Sequence, residues 1–186
     1  GQTLDMMTQW LKERQVMTRF VSPQVLEVAA EGNLARACHG SKREVALLVS
    51  DIRNFTTMSE SSSPQEIFTL LNRHLRIMTT VIQKYGGVID RFIGDAIQAV
   101  FYPGQSTDMV ERAILAAHEM MVEHRRHNEE RRKIGTFEYH IGIGIEAGEV
   151  LTGVLGDPNV RLDFTVLGEP FKHAADLEAA SKRGKS

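Results

Sequence analysis

An α+β sandwich of the ferredoxin-like kind is what the sequence predicts, and three observations carry the prediction. Short β-branched apolar runs alternate with two long stretches of helical apolar spacing. The middle pair of runs, in GGVIDRFIGDAIQAVF, is separated only by Gly94-Asp95, the mark of a tight turn between two strands. Strands and helices therefore follow one another with a β-hairpin at the centre, an order that suits a sheet with helices packed on it.

The elements can be justified in chain order. The first forty residues read as a helical connector, with the domain proper from 41 to 186. Leu4, Met7 and Leu11 keep a 3 then 4 spacing, but Arg14 and Thr18 take the next seam positions, so this segment alone could not hold a dimer. Ser22-Pro23 supplies an N-cap and a first-turn proline for a second helix that Gly32 ends. EVALLVSD is a strand that stops at Asp51. Ser63-Pro64-Gln65-Glu66 is a capping box, after which Ile67, Leu71, Leu75, Met78 and Ile82 recur at helical spacing until Gly86-Gly87. In the next helix Val110, Ile114, Ala117 and Met121 form the expected inner face, and the charged run 129–133 faces solvent. Strands at about 137–146 and 160–167 and a helix from about 169 close the domain, leaving a frayed basic end at 181–186.

Composition narrows the function classes. The chain has 186 residues, 42% apolar and 25% charged, enough for one substantial core, and its formal charge of -2 points to neither nucleic acid nor an anionic membrane as partner. Cys38 is the single cysteine, which excludes an intrachain disulfide or a cysteine zinc cluster and fits a reducing, cytoplasmic setting. No apolar run approaches the length of a membrane span, and no signal-peptide pattern opens the chain; any membrane link is expected upstream of it.

Two carboxylates carry the chemical signal. Asp51 ends one strand and Asp95 tips the hairpin, so both acids sit at strand ends, where together they can hold two Mg²⁺ or Mn²⁺ ions for phosphoryl transfer. Taken singly, each Asp is an ordinary turn or loop cap. His118, His124 and His127 lie among Arg125, Arg126, Glu129 and Glu130, a pattern that reads as a solvated face and not as a metal cluster. Gly142, Gly144, Gly148, Gly153 and Gly156 precede no helix in the manner of a dinucleotide loop and read as bulges or strand turns. The Ser and Thr residues near Asp51 lack an oriented histidine, which argues against a hydrolase triad.

Four ordered blocks, SDIRNFT, GGVIDRFIGDAIQAVF, HIGIGIEAGEVLTGVLG and RLDFTVLGEPFKHAADLEAA, resemble the class III nucleotidyl cyclase domain of adenylate and guanylate cyclases, bacterial type, from about Glu44 to about Ala180. The resemblance implies that family's ferredoxin-like fold and a homodimer, or a pair with a related domain, in which each subunit completes the other's site. It implies conversion of a nucleoside triphosphate, with ATP expected, to its 3′,5′-cyclic monophosphate and pyrophosphate. Asp51 and Asp95 match the metal acids, and the loop through Phe55 and Thr56 matches the triphosphate cradle. Arg91 and Thr165 match the base-reading pair. Arg91 stands where adenylate cyclases carry lysine; its planar fork suits guanine better than adenine, so the base stays open, and a plain ion pair with Asp90 is the simpler reading. The RFVSPQV stretch is similar to segments that join sensor units to bacterial cyclase domains, which implies a regulated output domain.

Two positions depart from the pattern. Lys172 replaces the family Asn and Asp176 the transition-state Arg, four residues apart on one helix face. A negative group there opposes a triphosphate. The alternative implied is an inactive cyclase-homology module acting in dimerisation or nucleotide-dependent regulation, with Lys172 and Asp176 as an exposed ion pair. The family domain also runs on into a further strand with a triphosphate-binding lysine, and the resemblance places that part beyond residue 186.

Overall fold

The strand that ends at Asp51, β1 (Ser41–Ile52), is buried on both faces through residues 45–49, which is why its sequence is continuously apolar and not alternating. The computed structural model describes residues 38–104, 108–157 and 161–181. The connector helices expected around Leu4, Met7, Leu11 and Ser22-Pro23 lie outside the described residues, as does the basic end from 182.

Around β1 the chain folds as α1 (Phe55–Glu60), α2 (Pro64–Lys84), β2 (Val88–Ile93), β3 (Ala96–Phe101), α3 (Met109–Lys133), β4 (Ile141–Asp157), β5 (Arg161–Leu167) and α4 (Glu169–Ala180). The hydrogen-bonded strand order is β2-β3-β1-β4-β5. One unit, Arg43–Val150 with Gly168–Ser186, holds the helices and the hairpin; in the other, which includes Leu151–Leu167, β4 and β5 pair antiparallel from Leu151 opposite Leu167 to Asp157 opposite Arg161. No helix among the described residues is long and apolar enough to cross a membrane.

In the larger unit the core gathers Ala46, Leu48 and Ile52 of β1, Ile97, Ala99 and Phe101 of β3, Met78 and Ile82 of α2, and Met120 of α3. The capping box forms as the sequence predicts: Ser63 Oγ accepts from Glu66 N–H, and Glu66 returns its carboxylate to Ser63 N–H at 2.8 Å. At the other end of α2, Gly86 takes φ +72°, and Gly87 has no room for a side chain, because an added Cβ would stand 2.6 Å from Phe101 Cζ.

Four sequence expectations need correction. β4 begins at Ile141, not near 137, because residues before it are held out of the ladder: Arg131 Nε donates to the Phe137 carbonyl at 2.8 Å and Asn128 Nδ2 to that of Tyr139 at 2.6 Å. The inner face of α3 is Ala113, Ala116, Met120, His124, His127 and Asn128, while Ile114 is 54% exposed. Two small alanines let the helix sit close to the core; of the expected stripe, Val110, Ala117 and Met121 pack half-buried beside them and only Ile114 turns outward. His124 and His127 are consequently buried, not solvated, and only His118 of the three is exposed.

Gly142 and Gly144 make room for α4 and not for a bulge. A Cβ on Gly144 would overlap the Ala174 carbonyl oxygen, and one on Gly142 would overlap the Arg53 guanidinium. Gly144→Ala is therefore expected to cost about 2–3 kcal/mol, the upper range for an overpacked site that must push backbone aside. A urea midpoint unchanged from wild type would show that α4 does not rest on Gly144.

Candidate functional site

The site begins with strand register. Ser50 of β1 pairs with Ile97 of β3, so two further antiparallel steps bring Ile52 opposite Asp95 in the turn between β2 and β3. The Ile52 N–H donates to Asp95 Oδ2 at 2.9 Å, which holds the hairpin tip against the end of β1. Gly94 supplies the turn with φ +62° in open space.

This arrangement sets two carboxylates together. Burial pushes the Asp95 carboxyl up to about 7, helped by a hydrogen bond to the Asp51 side chain and by that group's negative charge. A divalent cation between the two acids would remove both the repulsion and the need for a shared proton. No group of three His, Cys, Asp or Glu side chains among the described residues could hold a metal. The pair thus fits a hard cation that takes its remaining oxygens from a phosphate ligand and water, as Mg²⁺ does.

No local motif announces the ion pair that fixes the chain just beyond Asp51. Arg53 N–H donates to the His140 carbonyl at 2.8 Å, and its guanidinium pairs with the Glu178 carboxylate, donating also to the Glu178 carbonyl at 2.8 Å. Both side chains are nearly covered, at 12% and 6% exposure, so the pair is shielded from water and its loss is costly. Gly142 is the vacancy through which Arg53 reaches α4. Asn54 then adopts φ 56° and starts α1, whose half-buried Phe55 and exposed Thr56 follow directly.

The other sequence-derived positions fall as follows. Arg91 is exposed on β2 beside the register shift after Ile89, and its Nε pairs with Asp90 Oδ2 at 2.6 Å. Thr165 is buried in β5, opposite Gly153. Lys172 and Asp176 are both exposed on α4, whose buried side is Ala174 and Glu178. Two residues along a helix is roughly 200° of rotation, so both point away from the sheet. No ion pair joins Lys172 to Asp176 among the described residues. Structure thus brings Asp51 and Asp95 together within one chain and leaves the α4 pair facing outward.

Comparison with known proteins agrees with this geometry. The family model described as the adenylate and guanylate cyclase catalytic domain matches residues 38–185. An adenylate cyclase of Anabaena cylindrica is 35% identical over 92% of this chain, which spans only 33% of that relative. Among solved structures, the guanylyl cyclase Cya2 is 34% identical with a TM-score of 0.70 over 76% of this chain and 72% of that one. The adenylyl cyclase CyaB from P. aeruginosa is 30% identical with a TM-score of 0.65, covering 76% of this chain and 74% of its own.

Proposed function

The chain belongs to the adenylate and guanylate cyclase catalytic-domain family, and we propose that it binds a nucleoside triphosphate with Mg²⁺ or Mn²⁺ at Asp51 and Asp95. The reaction in view is conversion of that triphosphate, ATP by expectation, to its 3′,5′-cyclic monophosphate and pyrophosphate in a cytoplasmic homodimer. The observation that carries the reading is the contact of the two carboxylates at the β1 and hairpin ends. When bound, the metal pair would lower the pKa of the attacking ribose hydroxyl and neutralise charge on the phosphates. The protein's own part is positional: the Ile52 N–H orients Asp95, and the Arg53–Glu178 pair holds the chain leaving Asp51. Arg91 and Thr165 are proposed to read the base. Phe55 and Thr56 are proposed to flank the triphosphate.

A second reading is supported by α4. Lys172 and Asp176 are outward-facing and unpaired with one another, so an acidic group is offered to whatever lies against that helix. If a partner's triphosphate lies there, Asp176 repels it, and the domain serves as a dimerising or nucleotide-sensing module with little turnover.

Calorimetry with Mn²⁺ and a non-hydrolysable triphosphate separates metal binding from turnover. Asp51→Ala with Asp95→Ala is expected to weaken joint binding by more than about tenfold, the loss of roughly 1.4 kcal/mol or more. In metal-free buffer the same double variant is expected to unfold at a higher temperature than wild type, because it removes a partly buried pair of like charges. Equal binding by both proteins would remove the metal assignment.

A further inference from the structure

Away from the two aspartates, a cavity of about 590 Å³ opens between the first turns of α2 and the end of α3, closed on one side by the turn at 134–137. Its volume lies in the range of pockets that hold small organic ligands. Leu70, Ile134 and Phe137 supply apolar wall. None of these residues takes part in the site built from β1 and the hairpin.

The polar wall carries Glu66 and Glu130 against Arg73 and Arg131, and the two acids are placed away from Arg131. Glu66 is committed to its capping box, where its carboxylate accepts from both the Ser63 N–H and hydroxyl. Glu130 stands 3.9 Å from Arg73 and 3.8 Å from His127 Nδ1, and it satisfies neither by hydrogen bonding. Arg131 has no carboxylate partner at all among the described residues. Its Nε donates to the Phe137 carbonyl, and its guanidinium carbon lies 4.7 Å from the Phe137 ring centre and 5.7 Å from that of Tyr139. Partial burial lowers its pKa, opposed only by the Tyr139 phenol. Beside Arg131, the His127 side chain is nine-tenths covered, and both its ring nitrogens are closed off from solvent.

We propose that this cavity binds a small organic carboxylate, its head on Arg131 and its apolar body on Leu70, Ile134 and Phe137. The guanidinium fork presents two parallel donors, which matches the two oxygens of a carboxylate. The apolar wall sets the second requirement: a head without a body leaves Phe137 and Ile134 wet, and a body without a head leaves Arg131 uncompensated.

Octanoate is the probe, with acetate and octan-1-ol as the halves of the molecule. Titrated into the whole chain and followed by calorimetry and by amide shifts of residues 127–137, octanoate is expected to bind at least about tenfold more tightly than either control, since each removes one of two contributions worth roughly 1.4 kcal/mol or more. Arg131→Gln should reduce octanoate affinity about tenfold or more, and Thr69→Trp, which fills the opposite wall, should abolish it while keeping Arg131. Circular dichroism checks that both variants fold; should Arg131→Gln fail, Thr69→Trp and the acetate and octanol comparison decide the matter. Asp51→Ala with Asp95→Ala should leave octanoate binding unchanged, which keeps this site distinct from the metal site. Equal binding of octanoate and octanol, binding insensitive to Thr69→Trp, or no saturable binding of octanoate overturns the proposal.

Discussion

Lowering the pH from 7 to 4.5 is expected to unfold most of the protein, because the core holds histidines that charge only after they leave it. His74 is wholly buried, with Nδ1 3.1 Å from the Tyr139 hydroxyl. His124 donates its Nε2–H to the Tyr139 carbonyl at 2.9 Å, and the Tyr139 N–H donates to Asn128 Oδ1. Burial is the first cause of every shift here: it drives His74 down to about 3 and His124 to about 4, and the mutual repulsion of the rings adds to both. His127 is lowered by burial and by Arg131 and Arg73, with Glu130 opposing. The folded state thus refuses protons that the unfolded chain accepts below its ordinary histidine pKa of about 6.5. Stability is full above that value and is lost as the pH falls toward the folded-state values, at about 1.4 kcal/mol per pH unit for each histidine. Two histidines over two units give about 5 kcal/mol, comparable with the whole stability of many domains. Asp95 acts in the opposite sense. Its raised pKa makes the folded state gain stability as the pH drops through about 7, so the test belongs in an Asp95→Asn background. Urea midpoints at pH 7, 6 and 5 should fall steeply there, and His74→Phe should flatten the slope by about one proton. A flat profile between pH 7 and 5 would mean that these rings are solvated in the native state.

What the sequence made legible, and what it hid, follows from the range of each interaction. The Ser63 capping box and the Gly94-Asp95 turn are written in consecutive residues and formed as read. Asp51 and Asp95 were legible as a pair because each ends a strand whose partner is close along the chain. The Arg53–Glu178 contact spans 125 residues and leaves no local trace beyond two charged letters. Gly142 and Gly144 had a visible spacing but an invisible cause, since the atoms that forbid a side chain there belong to Arg53 and Ala174. On α3 apolarity pointed to the flank of the buried face, where Val110, Ala117 and Met121 pack half-buried while Ile114 turns outward. The histidine-bearing stripe was chosen by the carbonyl of Tyr139, which His124 and Asn128 both reach. Polar residues in a core are hard to see in sequence because their partners, not their own chemistry, make burial tolerable.

Replacing Lys172 by Asn and Asp176 by Arg is expected to raise cyclase turnover from near background by about 10²-fold, more with Mn²⁺ than with Mg²⁺. The magnitude is that of one well-placed oxyanion donor, typically ~10²–10³ in rate. Structure supplies the reason for expecting a clean experiment. Both residues are exposed on α4 and neither belongs to an ion pair among the described residues, so the swap disturbs no packing and leaves Ala174 and Glu178 seated on the sheet. Asn restores a neutral donor where Lys172 stands. Arg at position 176 exchanges a repulsive carboxylate for a fork that contacts two phosphoryl oxygens at once. Because the two sites of a family-type dimer each draw α4 from the partner, mixing the swapped chain with one carrying Asp51→Ala and Asp95→Ala should give no active heterodimer site in which the aspartate-deficient chain must hold the metal. It should still give one where the swapped chain holds metal and the other lends an unswapped α4, and that site should be slow. Recovery in the swapped homodimer should be partial, since Arg91 still stands at the base-reading position. A wild-type turnover above about 1 s⁻¹, within the ordinary enzyme range, would show that Lys172 already serves the phosphates and that Asp176 does not face them.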